Sequence, residues 1–194
     1  MRSPLVYLAV ALYYGTWFTS PVAWAELRWT PLPYWCMEVW LVLNLAAQLL
    51  VLAFASPSGL LAVIVAFYGL VGAVAALLRD AIYAPTVHRD TEGGYIAIRN
   101  RPRWLLLAFL GAVQIPTCFA VLLFRWGAEF SPPIRDALTA LYQSIVTFTT
   151  LGYGDIHPAT PTGQILITVE LLFFLLFLGL RLPLAVSVMR VKQE

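Results

Sequence analysis

Between Thr149 and Pro158 the chain reads TTLGYGDIHP, a polar and irregular stretch set between two long apolar runs. Gly152 and Gly154 open backbone dihedrals that other residues avoid, so consecutive carbonyl oxygens are free to point the same way. Non-helical backbone at membrane depth is tolerated only where protein buries it or where water and ions satisfy it. Carbonyls that find no N–H partner can face a dehydrated cation instead, and the Thr150 hydroxyl adds a further oxygen at the inner end. One such loop supplies too few oxygens to surround an ion. The GYG triplet occurs once in the chain, so ligand number alone requires several chains to meet at an axis.

The elements that must hold this stretch follow from its flanks. Ser131-Pro132-Pro133 reads as a helix start, with Ser131 as the cap and Pro132 at the first helical position. A short helix over 132–149 then carries IRDALTALYQSIVTFTT into the membrane, too short and too polar to cross it. Such a helix turns the negative end of its dipole toward a cation. Apolar segments run roughly over 4–25, 37–55, 60–78, 104–126 and 164–189, and about 20 apolar residues suffice to span a bilayer. Trp104 and Trp126 bracket the fourth, where interfacial aromatics belong. ASPSG, residues 55–59, reads as a tight hairpin between the second and third.

Charge sets the orientation. The linker 79–103 holds Arg79, Arg89, Arg99, Arg101 and Arg103, and the tail holds Arg190 and Lys192; both are expected on the cytoplasmic side. The chain is then a multi-pass protein of the plasma membrane, the inner membrane if the cell is bacterial. Residues 1–25 also have the shape of a signal peptide ending at Ala23-Trp24-Ala25. Cleavage there would put the arginine-rich linker outside, against the charge rule. Two readings stay open: five spans with the N-terminus outside, or four with the first segment in the interface. A spanning first helix is preferred.

Composition narrows the function classes. Of 194 residues 61% are hydrophobic and 11% charged, against about 25% charged in a soluble domain. With a mean hydropathy of +0.81, this is an all-α integral membrane protein. A net charge of +2 spread over loops offers nucleic acid no patch to bind. Cys36 and Cys118 fit no metal or redox spacing, and His88 and His157 lack a ligand constellation. Without a nucleophile–base pair or metal site, enzyme chemistry has no foothold. Glu170 stands alone inside the last apolar segment, where a charge facing lipid is expensive. It is expected to point inward as a structural, hydrogen-bonded acid. Asn44 and Gln48, one turn apart, are expected to hydrogen-bond at a helix interface.

The stretch ALYQSIVTFTTLGYGDIHPATPTG is similar to the pore loop of prokaryotic potassium channels, and TLGYG resembles their selectivity filter. PATPTGQILITVELLFFLLFLGL resembles the inner pore-lining helix and segment 104–126 the outer one, so the resemblance covers 104–194. It implies a homotetramer in which backbone carbonyls of Thr150, Leu151, Gly152, Tyr153 and Gly154 replace the hydration shell of K⁺. Asp155 matches the acidic residue of the outer mouth, expected to support the filter or gather cations. Leu151 stands where the family usually has valine or isoleucine, which alters packing behind the filter. Phe174 stands where a hinge glycine is usual. Any bend is then expected nearer Gly179 and Pro183, with Phe174 or Phe177 as candidate hydrophobic gates.

The front half, 1–78, contributes two or three extra transmembrane helices. A voltage sensor needs arginines at every third position of a spanning helix, and no basic residue lies between Met37 and Leu78. The expected function is passive, K⁺-selective conduction in a lipid bilayer, not gated by an arginine-bearing voltage sensor. The rivals are a weakly selective cation channel and a non-conducting accessory subunit with a channel-like fold.

Overall fold

The computed structural model describes residues 35–54, 59–82 and 101–190. The expected first segment 4–25, residues 55–58 of the expected hairpin 55–59 and residues 83–100 of the linker lie outside them. Five helices follow in order: α1 (Trp35–Phe54), α2 (Leu60–Ile82), α3 (Arg101–Arg125), α4 (Ala137–Phe148) and α5 (Pro161–Arg190). Between α3 and α4 lie a 3₁₀ turn, Gly127–Glu129, and a two-residue strand β1 (Phe130–Ser131). This strand pairs antiparallel with β2 (His157–Pro158), placing Ser131 opposite His157.

Among the described residues two helices are long and apolar enough to cross a membrane, Ala108–Arg125 within α3 and Pro161–Leu180 within α5. They are covered very differently. Half of the α3 stretch is buried within the chain, but only 11% of the α5 stretch is. Helix α3 is the centre of the fold. Ile115, Cys118 and Phe119 pack against Leu70 and Ala73 of α2 on one side and Phe148 of α4 on the other. Ala120 and Val121 meet Leu52 of α1 and Ala62 and Ala66 of α2. At the far end Leu123 joins Phe130, Ile134, Ala140 and Ile156. Burial of this apolar surface, at about 25 cal/mol per Å² of area removed from the surroundings of an unfolded chain in water, has a weaker counterpart in lipid, where close packing and interhelical polar bonds do more.

One such bond set joins the N-terminal pair to α3. Asn44 Oδ1 accepts from Gln48 Nε2 at 2.5 Å and from Gln114 Nε2 at 3.2 Å. Asn44 and Gln48 thus bond to each other along α1, and Asn44 makes the expected bond across a helix interface, to Gln114 of α3. Gly69 of α2 lies against this cluster; a Cβ there would stand 2.6 Å from Cys118 Sγ. Within α3, Pro116 has no N–H and removes one helical hydrogen bond, while the Thr117 hydroxyl donates to Val113 O at 2.8 Å.

The short helix α4 does not start at Pro132. Ser131 is committed to the β1–β2 pair, and a residue before proline is biased away from helical dihedrals. That applies to Ser131 before Pro132 and to Pro132 before Pro133. The cap is Asp136, in extended conformation, whose carboxylate accepts from Thr139 N at 2.8 Å and from the Thr139 hydroxyl at 2.7 Å. A carboxylate also suits the positive end of the helix dipole.

These bonds, led by the Thr139 amide, hold the Asp136 carboxyl below its ordinary value of 3.8. Folding therefore favours the ionised form. Its contribution is complete above the ordinary value and is lost as pH falls through the lower, folded one. Asp136→Ala is expected to melt below wild type at neutral pH, with the gap closing in acid. A gap in melting temperature that stays constant with pH would show that the carboxylate is not what caps the helix.

Candidate functional site: the loop after the short helix

The end of α4 builds the start of the loop. Thr149 closes the helix, and Thr150 turns into the left-handed region at φ 58°. The Thr150 amide donates to Thr147 O at 2.9 Å and the Leu151 amide to Val146 O at 3.0 Å. This is the Schellman pattern of helix ends, in which the left-handed position normally belongs to glycine. A β-branched residue there is a genuine outlier, and strain of this kind costs of order 1–3 kcal/mol and clusters at working sites. The last helical carbonyls are thereby satisfied by the first loop amides.

Positive φ then recurs at every second residue: Thr150 at 58°, Gly152 at 54° and Gly154 at 76°. An ordinary strand alternates its carbonyls from side to side, and a backbone that inverts at every second residue departs from that pattern. Residues Thr150 to Asp155 are all exposed in the single chain. Leu151 and Tyr153 hold out large apolar side chains at 58% and 66% exposure. A cavity of about 440 Å³ lies against this loop, lined among others by Gln143, Thr147, Gly152, Tyr153 and Ile167.

Asp155 faces back toward α4, and its Oδ2 accepts from the Tyr142 hydroxyl at 2.7 Å. The loop is tied at its outer end to a residue of α4 that lies thirteen positions earlier in the chain. Tyr142 was not singled out in the sequence, where only its place one turn and a half before the helix end could have suggested it. His157 is exposed in the β1–β2 pair. The outer edge is clamped further: the Thr160 hydroxyl bonds Glu129 Oε2, and the Ala159 amide donates to Glu129 O at 2.8 Å.

Glu170 is fully buried and points inward, against Ser144 of α4. The gate candidates Phe174 and Phe177 turn their rings onto Phe148 at the end of α4, at centroid distances of 5.3 and 6.1 Å. Phe173 meets Phe119 edge-on at 5.4 Å. Phe174 and Phe177 thus pack α5 against α4 within one chain, and both side chains remain partly exposed there. Helix α5 runs unbroken through Gly179 and Pro183, with open space around Gly179.

Residues 104–190 match the family described as Ion channel. Curated relatives include a hyperpolarization-activated voltage-gated potassium channel of Methanocaldococcus jannaschii, 36% identical over 72 residues. A voltage-gated potassium channel of Aeropyrum pernix is 36% identical over 59 residues, and potassium channel KAT2 of Arabidopsis thaliana 34% over 88. The matches cover 36%, 29% and 38% of this chain and 34%, 20% and 12% of those relatives. The chain thus spans about a third or less of the length of the curated relatives it matches. No solved structure matches it.

Proposed function

We infer, from the match of residues 104–190 to the Ion channel family and from relatives named as potassium channels, that the chain is a potassium channel of which four copies assemble around one axis and conduct K⁺ down its gradient. The observation that carries this reading is the alternation of positive φ at Thr150, Gly152 and Gly154 directly after a capped short helix. Carbonyls of residues 150–154 supply the oxygens that replace water around the ion, with the Thr150 hydroxyl at the inner end. Asp155, held by Tyr142, fixes the outer end of that ladder.

Assembly supplies what one chain lacks. The inner helix α5 is an apolar membrane-length helix left almost uncovered, and the loop beside it is exposed. Neighbouring copies cover both and complete the oxygen shell. Two relatives carry voltage gating in their names. In this chain no basic residue lies between Met37 and Leu78, and moving one charge through the membrane field is worth about 2.3 kcal/mol per 100 mV. We therefore assign α1 and α2 to bracing the pore and not to an arginine-bearing sensor.

The test is the reversal potential of the protein reconstituted in liposomes under opposed K⁺ and Na⁺ gradients. A value near the K⁺ equilibrium potential is expected. A value midway between the two ions would mean a weakly selective cation pore. Absence of current at every voltage and gradient would favour a non-conducting subunit.

A further inference from the structure

Ser144 of α4 sits at the meeting of three helices. Its Oγ is 2.7 Å from the Pro116 carbonyl oxygen of α3 and in close contact with Glu170 Oε1 of α5. Ser144 and Glu170 are each wholly excluded from the surface. The second carboxyl oxygen, Oε2, is buried and has no hydrogen-bond partner. Among the described residues no charged side chain faces Glu170.

Counting protons decides which way these bonds run. A serine hydroxyl carries one proton and can accept as well; a backbone carbonyl only accepts, and an ionised carboxylate only accepts. With Glu170 ionised, one serine proton would face two acceptors, and one of the two short contacts would be oxygen against oxygen with no hydrogen between. A full charge would also sit in an apolar interior without a counter-ion, a burial that proteins avoid by neutralising the group. With Glu170 protonated both contacts close: the carboxyl O–H donates to Ser144 Oγ, and the Ser144 O–H donates to Pro116 O. The unpartnered Oε2 is then a neutral carbonyl oxygen, much less costly to bury than half of a carboxylate charge.

We propose that Glu170 is an uncharged carboxylic acid that donates its proton to Ser144, closing a Glu170–Ser144–Pro116 chain that fixes the short helix between the outer and inner helices. The placement rests on the pore reading only for its consequence, since Ser144 lies six residues before Thr150 and the chain sets the depth at which the loop begins. Glu170 is a positioning residue that acts through Ser144.

Infrared spectroscopy of the full chain in liposomes at neutral pH tests this without reference to current. Wild type is expected to show the carbonyl stretch of a protonated carboxylic acid, moved by ¹³C labelling of glutamate carboxyls. Glu170→Gln is expected to remove that band, while its amide N–H still donates to Ser144 and keeps the wild-type melting temperature. Ser144→Ala is expected to shift the band, because the acid loses its acceptor. Labelled wild type with carboxylate bands alone would overturn the proposal, even if neither variant folds. A protonated-acid band that survives unchanged in Glu170→Gln would overturn it as well. A chain that shows the band but passes no current would refute the channel reading and leave the proton assignment standing.

Discussion

Gly152→Ala is expected to abolish K⁺-selective current in the reconstituted protein while leaving the amount of assembled protein unchanged. A Cβ at Gly152 meets nothing within 4 Å in the chain, so the substitution does not fail by collision. It fails through the backbone. At φ 54° an L-residue pays about 1–2 kcal/mol relative to the right-handed region. In the proposed tetramer four copies would make that about 4–8 kcal/mol against the conducting shape, enough to shift a conformational balance by roughly a thousandfold or more. Thr150 already holds φ 58° without being glycine, and the difference is support. Thr150 is gripped by the Thr150–Thr147 and Leu151–Val146 bonds of the helix end, whereas the Gly152 amide has only a 3.4 Å contact to Val146 O. The check is the K⁺/Na⁺ reversal potential with size-exclusion chromatography of the same sample. Wild-type selectivity in Gly152→Ala would remove positive φ at this residue from the mechanism.

Gly127→Ala is expected to destroy the assembled protein itself, for a different reason. Gly127 has no positive φ to protect. Its Cβ would lie deep inside the van der Waals shell of the Ile134 carbonyl oxygen and 3.0 Å from that residue's carbonyl carbon. Backbone cannot rotate away as a side chain tip can. The same two residues are joined by the Ile134 N–H donating to Gly127 O at 3.0 Å, and Ile134 anchors the cluster of Leu123, Phe130, Ala140 and Ile156. Relief therefore separates the 3₁₀ turn from the approach to α4. Overpacking costs about 1–3 kcal/mol, and loss of a buried hydrogen bond about 1–3 more. Thermal melting and chromatography should show a collapsed yield of folded protein. Gly179→Ala is the control, since open space surrounds it and alanine is worth up to about 1 kcal/mol over glycine inside a helix. If Gly127→Ala melts like wild type, the tight approach at Ile134 is not what holds the outer edge.

Several features were legible because their causes are local. Helix positions over 104–126 and 164–189 follow from apolar runs, and the helices observed are Arg101–Arg125 and Pro161–Arg190. The inward direction of Glu170 follows from the cost of a carboxyl among lipid. Other features were misread because a local signal was outbid by a distant one. Ser131 and Asp136 are both good caps, and Asp136 prevails because Ser131 is already paired across to His157. The contacts of Phe174 and Phe177 with Phe148 are a separate matter: apolar character along the chain does not say which face a residue presents.

By itself, then, the sequence determined a membrane-embedded helical chain with one glycine-punctuated loop suited to ion coordination, because apolar length and glycine dihedrals are properties of neighbouring residues. Only the tertiary structure decided that Tyr142 holds Asp155, that Asn44 reaches Gln114, and that Ser144 meets both Glu170 and the Pro116 carbonyl. Those partners lie 13 to 70 residues apart in the chain. Hydrogen bonds across such separations carry no periodic signature, and they exist only once the helices have packed.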